Sequence, residues 1–206
     1  MRLPYTPNPP TPSSPEDQAI VSRIAARRAP RPLQPLDLAL LHSPPVADGW
    51  NSFLGAVRTR TTLDARAREL AICRVAVCNR AWYEWGHHAP LAVAAGVSEE
   101  AMEVVKRGDL IPGDGGREEE EEVRKEAEGL GLGEREWAVL RYADEMTRNV
   151  EVSDEVFGAL RKVCSEREVV EVTATVAAYN CVSRFLVALD VGERNGTGPD
   201  DVGAGH

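Results

Sequence analysis

Residues 68–100 read RELAICRVAVCNRAWYEWGHHAPLAVAAGVSEE. From Glu69 to Cys78 the run is apolar nearly all the way round a helix, and a helix of that kind is packed on several sides. Asn79 reads as the N-cap of a following helix that begins at Arg80. In that helix Glu84 and His88 are i,i+4 partners on one face, with Ala81 one turn earlier on the same face. Tyr83 and His87 form a second i,i+4 pair beside them. Pro90 cannot donate to the carbonyl of Gly86, so a kink is expected between Gly86 and Pro90, next to both histidines. Gly96 reads as the cap that ends this helix, and Ser98 with Glu99 and Glu100 opens another.

Outward from this stretch almost everything is helix-patterned. Helices are predicted near 17–28, 34–42, 46–58, 64–78, 80–95, 98–107, 117–129, 133–149, 153–163 and 165–190. Strand-like alternation is absent, so the fold class is all-α, a multi-helix bundle. Residues 169–189 form a second helix that is apolar nearly all round, and Phe157 precedes it much as Phe53 precedes 69–78, which hints at a duplicated helical hairpin. Ile111 to Gly116 reads as a loop. The acidic run Glu118–Glu122 reads as a solvated helix face, with Glu120 and Glu121 four residues before Arg124 and Lys125. Six prolines among the first fifteen residues predict an extended, disordered segment over 1–16. The folded domain is expected over 17–192, with a flexible tail over 193–206.

A net charge of −9 speaks against non-specific nucleic-acid binding and against an anionic membrane surface. An anionic substrate would need a local cluster of positive charge. No apolar run is expected to span a bilayer, and no secretory h-region opens the sequence. Cys73 and Cys78 are five residues apart on different faces of one helix, and the four cysteines contain no CxxC pair. A reducing, cytoplasmic compartment is the resulting expectation.

A carboxylate and an imidazole on one helix face can handle protons, because a buried Glu–His pair titrates in a useful range. The alternative is an ordinary surface pair, but Trp82, Tyr83 and Trp85 imply an enclosed, apolar setting. His87, Tyr83 and Trp85 are therefore candidate substrate contacts. Arg184 lies in the apolar 169–189 segment four residues after Asn180, and is a candidate carboxylate clamp. Its alternative is a salt bridge to Glu171 or Glu69. His42, just before Ser43-Pro44-Pro45, is a further candidate for the pocket wall. Glu84-Trp-Gly-His87 has the E-x-x-H spacing of di-iron bundles, but no second such motif occurs, so no metal is expected.

The 68–100 stretch resembles the core motif of the carboxymuconolactone decarboxylase and alkylhydroperoxidase D superfamily, over roughly residues 36–190. In the peroxidase branch a Glu is followed by a CxxC pair and a His. Here the family Glu falls on Glu69 and the His on His88, while the cysteine positions hold Ala81 and Glu84. Peroxide reduction at such a site needs a thiolate and a resolving thiol, which these residues do not supply. The resemblance therefore implies the decarboxylase-like branch, acting without cofactor on a small carboxylated lactone or β-keto acid. His88 would be the general acid/base, Glu84 its partner or the proton donor, and Glu69 an orienting group. It also implies a trimeric or hexameric homo-oligomer. A hydroperoxidase-type oxidoreductase and a non-catalytic ligand-binding or oligomerising scaffold are the alternatives.

Overall fold

A computed structural model describes residues 1–111 and 116–201. Most of the predicted 111–116 loop, and the tail beyond residue 201, lie outside the described residues. Among the described residues there are ten helices and no strand: α1 (Pro15–Arg28), α2 (Pro35–Leu40), α3 (Pro44–Thr59), α4 (Ala65–Cys78), α5 (Trp82–Ala94), α6 (Glu99–Val105), α7 (Arg117–Gly129), α8 (Glu134–Asn149), α9 (Asp154–Val163) and α10 (Glu166–Leu189). The chain is all-α, and each predicted helix is present within a few residues of its expected ends.

Side-chain caps set many of the starts. Ser14, Asp64, Ser98, Ser153 and Ser165 each accept from the backbone N–H three residues on, and Ser165 with Glu168 forms a reciprocal capping box. Asn79 departs from its expected role. It ends α4, and the chain reverses through Arg80 at φ 53°. Ala81 N–H bonds Ala76 O at 2.8 Å and Arg80 N–H bonds Val77 O at 3.0 Å, the paired closure of a left-handed C-terminal cap. Ala81 is then the N-cap of α5, and the helix runs unbroken through Pro90.

α4 is the central element. It packs on α5, α6, α8 and α10 and joins the two hydrophobic clusters of the core. Its one fully enclosed charge, Arg74, is held by Asp144 of α8 and by the carbonyls of Val105, Arg107 and Gly108. α10 is, contrary to the sequence expectation, long and apolar enough to cross a membrane by length and composition. It is a core helix, with Val172, Val176, Tyr179, Val182 and Leu186 buried and a polar and small-residue stripe outward.

Residues 1–14 hold no helix or strand and are tied down: Thr6 Oγ1 donates to Leu38 O and Arg2 N–H to Leu189 O, both at 2.8 Å. The described part of the tail also docks, through Trp85 Nε1 on Pro199 O and Lys106 on Asp200. In the acidic run, Glu121 stays outside near Arg124 and Lys125, whereas Glu120 turns to Arg141 of α8 at 2.8 Å. Phe53 and Phe157 are both exposed, so packing adds nothing to the suggested duplication.

Candidate functional site

The apolar pattern of α4 and the tight turn at 79–81 bring Glu69 and His88 together across the α4–α5 hairpin. His88 Nδ1 lies 2.6 Å from Glu69 Oε2, and both side chains are buried. On the other side of the ring, His88 Nε2 lies 3.1 Å from Nη2 of Arg58 in α3. A guanidinium can only donate, so Nε2 is the acceptor and the proton sits on Nδ1, directed at Glu69. Burial lowers the proton affinity of the imidazole, the Glu69 hydrogen bond opposes this, and Arg58 lowers it further, with a net downward shift. Burial alone would raise the Glu69 carboxyl; its bonds to His88 and Arg68 outweigh that and hold it below the usual carboxylate range.

Glu84 does not pair with His88. Its carboxyl accepts from Ser183 Oγ of α10 at 3.0 and 3.1 Å and has no cationic partner in contact among the described residues. Burial pushes it well above the ordinary carboxylate range, with only partial relief from Ser183 and Arg58. Two glutamates in one site are thus driven apart, Glu69 toward the ionised form and Glu84 toward the protonated one, a pattern that separates the acid from the base.

The shift has a consequence for stability. The unfolded chain releases the Glu84 proton near pH ~4.3, while the folded chain keeps it to higher pH. Stability from this group is full below the unfolded value and declines as pH rises toward the folded one, by up to about 1.4 kcal/mol per pH unit. Glu84→Gln keeps an acceptor for Ser183 and cannot ionise. Its melting temperature is expected to match wild type near pH 5 and exceed it by several degrees at pH 8, read by calorimetry at both pH values; equal profiles would count against a protonated Glu84.

These groups line a cavity of ≈ 300 Å³. Its wall also carries Arg28, Arg31 and Arg68, so four arginines face it with Arg58. Arg28 is held by Asp37 at 2.7 and 2.9 Å and Arg68 by Glu69 at 3.2 Å. Tyr83 and His87 line the cavity as well, their rings 4.4 Å apart, and His87 Nδ1 donates to Tyr83 O at 2.8 Å. A second chamber of ≈ 510 Å³ shares Arg31, Gln34, Tyr83 and His87 and is closed by Gly192 to Arg194. Gly192 has φ +77°, and a Cβ there would overlap the Tyr83 ring, so glycine is what lets the chain pass so close.

Five of the residues singled out from sequence line the cavity: Glu69, Glu84, His88, His87 and Tyr83. Four others do not. Trp85 is buried in the second hydrophobic cluster, with its indole on Pro199. Arg184 is on the outward stripe of α10, bonded to Asn180, and makes no ion pair with Glu171 or Glu69. Asn180 bridges Thr147 and Asn79. His42 is exposed and bonds Pro4 O at 2.7 Å. Sequence reasoning missed Arg58, Tyr179 and Ser183, and their signal was positional. Arg58 is one turn after the buried Leu54, and Ser183 one turn after the buried Tyr179, which places both on core-facing stripes.

No thiol lines the cavity. Cys73 is fully buried with its thiol pushed well up by burial, and burial pushes Cys78 to about 12, where it donates to Asp144. Among the described residues no cluster of His, Cys, Asp and Glu fits a metal ion.

A family model described as the carboxymuconolactone decarboxylase family matches residues 44–145, which contain α3, α4, α5 and the Arg58, Glu69, Glu84 and His88 positions. No curated protein matches the chain in sequence. Among solved structures, an uncharacterised peroxidase-related protein from Ralstonia eutropha with an alkylhydroperoxidase AhpD core superposes with a TM-score of 0.70 at 16% identity, covering 98% of this chain and 94% of that one. The debrominase Bmp8, solved in complex with 2,3,4-tribromopyrrole, gives 0.63 at 15% identity, covering 98% and 96%. A protein of unknown function from Agrobacterium tumefaciens, described as a putative antioxidant defence protein AhpD, gives 0.56 at 21% identity, covering 72% and 90%. With that family match and that shared fold, the chain belongs to the carboxymuconolactone decarboxylase and alkylhydroperoxidase D-like superfamily.

Proposed function

We propose that this chain is a cofactor-free acid–base enzyme that decarboxylates a small carboxylated lactone or β-keto acid and protonates the product at carbon. The observation that carries the reading is a buried histidine bonded to one glutamate, Glu69, beside a second buried glutamate bonded to a serine hydroxyl, Glu84, in a cavity walled by four arginines. Loss of carbon dioxide from such a substrate leaves the electron pair of the broken C–C bond as an enolate. The cationic wall favours that charge. Glu84, whose hold on its proton is strengthened by burial, supplies that proton to carbon and is reprotonated from solvent. His88, kept in one tautomer by Glu69, moves the proton at the oxygen. The debrominase relative holds a halogenated pyrrole; four arginines support an anionic ligand here instead.

The test is turnover of carboxylated lactones and β-keto acids in deuterated water, followed by mass spectrometry for carbon dioxide loss and deuterium at carbon. Wild type is expected to turn over at least one of them, and His88→Ala and Glu84→Gln to lose about 10²–10⁴ in rate. Full rate in both variants would overturn the assignment.

A further inference from the structure

Arg58 is paired unlike the other buried cations of the site. Arg28 faces Asp37 and Arg68 faces Glu69, but Arg58 has no carboxylate partner among the described residues. Its half-buried guanidinium donates from Nε to the Tyr179 hydroxyl at 2.5 Å and from Nη2 to His88 Nε2 at 3.1 Å. The Tyr179 ring lies 5.5 Å from its central carbon. Nε is engaged by Tyr179 and Nη2 by His88, and both two-point edges of the guanidinium, Nε/Nη2 and Nη1/Nη2, include the Nη2 that His88 occupies; Arg58 also lines the cavity. A partly desolvated cation without an anion is a costly arrangement that an incoming anion relieves.

We propose that Arg58 is a cap on the base: in the empty cavity it covers the Nε2 lone pair of His88, and an entering carboxylate takes the guanidinium in two-point fashion and so uncovers it. The inference rests on the acid–base reading of His88. Its physical ground is a competition between acceptors. A hydrogen bond from guanidinium to neutral imidazole is single, whereas a carboxylate accepts two parallel charge-assisted bonds and wins. While Arg58 donates to Nε2, His88 cannot take a proton there. A ligand without the anionic group therefore leaves the base covered, and selectivity for a carboxylate is built into the chemistry as well as into binding.

The charged and titratable groups around His88 come from every neighbouring element: Glu69 and Arg68 on α4, Glu84 and His87 on α5, Tyr179 on α10, Arg58 on α3, and Arg28 with Arg31 at the end of α1. Of these, Arg58 is the group in contact with Nε2, and its charge opposes protonation of the ring.

The experiment is a histidine-resolved ¹⁵N NMR titration of the full chain with malonate, at constant ionic strength against chloride, with His88 assigned by its loss in His88→Ala. In wild type the Nε2 resonance is expected to move saturably toward an unbonded imine, and the His88 titration midpoint to rise by about one unit. In Arg58→Met the raised midpoint is expected without malonate, and malonate binding to weaken at least about tenfold. An Nε2 resonance indifferent to malonate, or an equal response in wild type and Arg58→Met, would overturn the cap. The wild-type arm uses a variant only to assign the His88 resonance. Arg58→Lys adds a charge-conserving arm, in which affinity equal to wild type would overturn the two-point contact. None of these readouts needs turnover: a malonate response in a protein that decarboxylates nothing keeps the cap and removes the reaction, and turnover without the response does the reverse.

Discussion

Glu69→Gln is expected to lower kcat by about 10²-fold or more while KM changes little. The carboxylate is buried against His88 Nδ1 at 2.6 Å, where it fixes the tautomer; in the proposed reaction it also stabilises the imidazolium that forms when Nε2 takes a proton. Glutamine keeps the shape and an acceptor but not the charge, so the orientation survives and the stabilisation does not. The pH profile separates this role from a structural one. In the proposed reaction His88 acts as a base only when neutral, so its titration would set the acidic limb of kcat/KM. Glu69 raises the proton affinity of the ring against burial. Its loss therefore moves that limb to lower pH. A fall in rate with the limb unmoved would mean that Glu69 merely packs. The profile is measurable with whichever carboxylated substrate the deuterium experiment selects.

Asp144→Ala is expected to carry the largest stability cost in the molecule, about 3–5 kcal/mol, because it strands a buried charge. Arg74 is fully enclosed, and among the described residues Asp144 is its only carboxylate, with Oδ1 2.7 Å from Nε. Burial alone would raise the Asp144 carboxyl; Arg74 and Arg148 outweigh it and keep it ionised below its usual range. The remaining donors of Arg74 hold the carbonyls of Val105, Arg107 and Gly108, so the same side chain fixes the exit of α6. For a chain of this size the loss corresponds to a Tm lower by about 10 °C. Arg23→Ala, which breaks the exposed pair with Asp48 at 2.7 Å, is the control and should leave Tm unchanged. Similar melting of both variants would show that the Arg74 cluster is replaceable.

The sequence was most legible where one physical rule acts alone. Helix existence followed from apolar period, and Gly96 and Ser98 marked the junction between α5 and α6. Glu69, Glu84 and His88 were identifiable because acid and imidazole stand out in apolar helices. Their pairing was not. Glu84 and His88 share a face, yet the partner of His88 is 19 residues away across a reversal that depends on Arg80 adopting φ 53°. Asn79 misled because it is as good at closing a helix as at opening one. Arg184 misled because its charge drew attention, whereas its neighbour Ser183, one residue round the helix, faces the site. Arg58 is in an otherwise ordinary amphipathic helix, and only its register relative to Leu54 marks it. A contact made over 121 residues, such as Arg58 with Tyr179, leaves no local trace.

That difference in span also orders the site in time. Closing the 19-residue segment between Glu69 and His88 costs less chain entropy than closing the 121 residues between Arg58 and Tyr179, by about 1.6 kcal/mol on the logarithmic loop law. The Glu69–His88 pair closes within one hairpin, and the Arg58–His88 contact, over 30 residues, costs little more; the Tyr179 hydroxyl that anchors the guanidinium from α10 is expected to be the last of the group fixed in folding and the first released in partial opening.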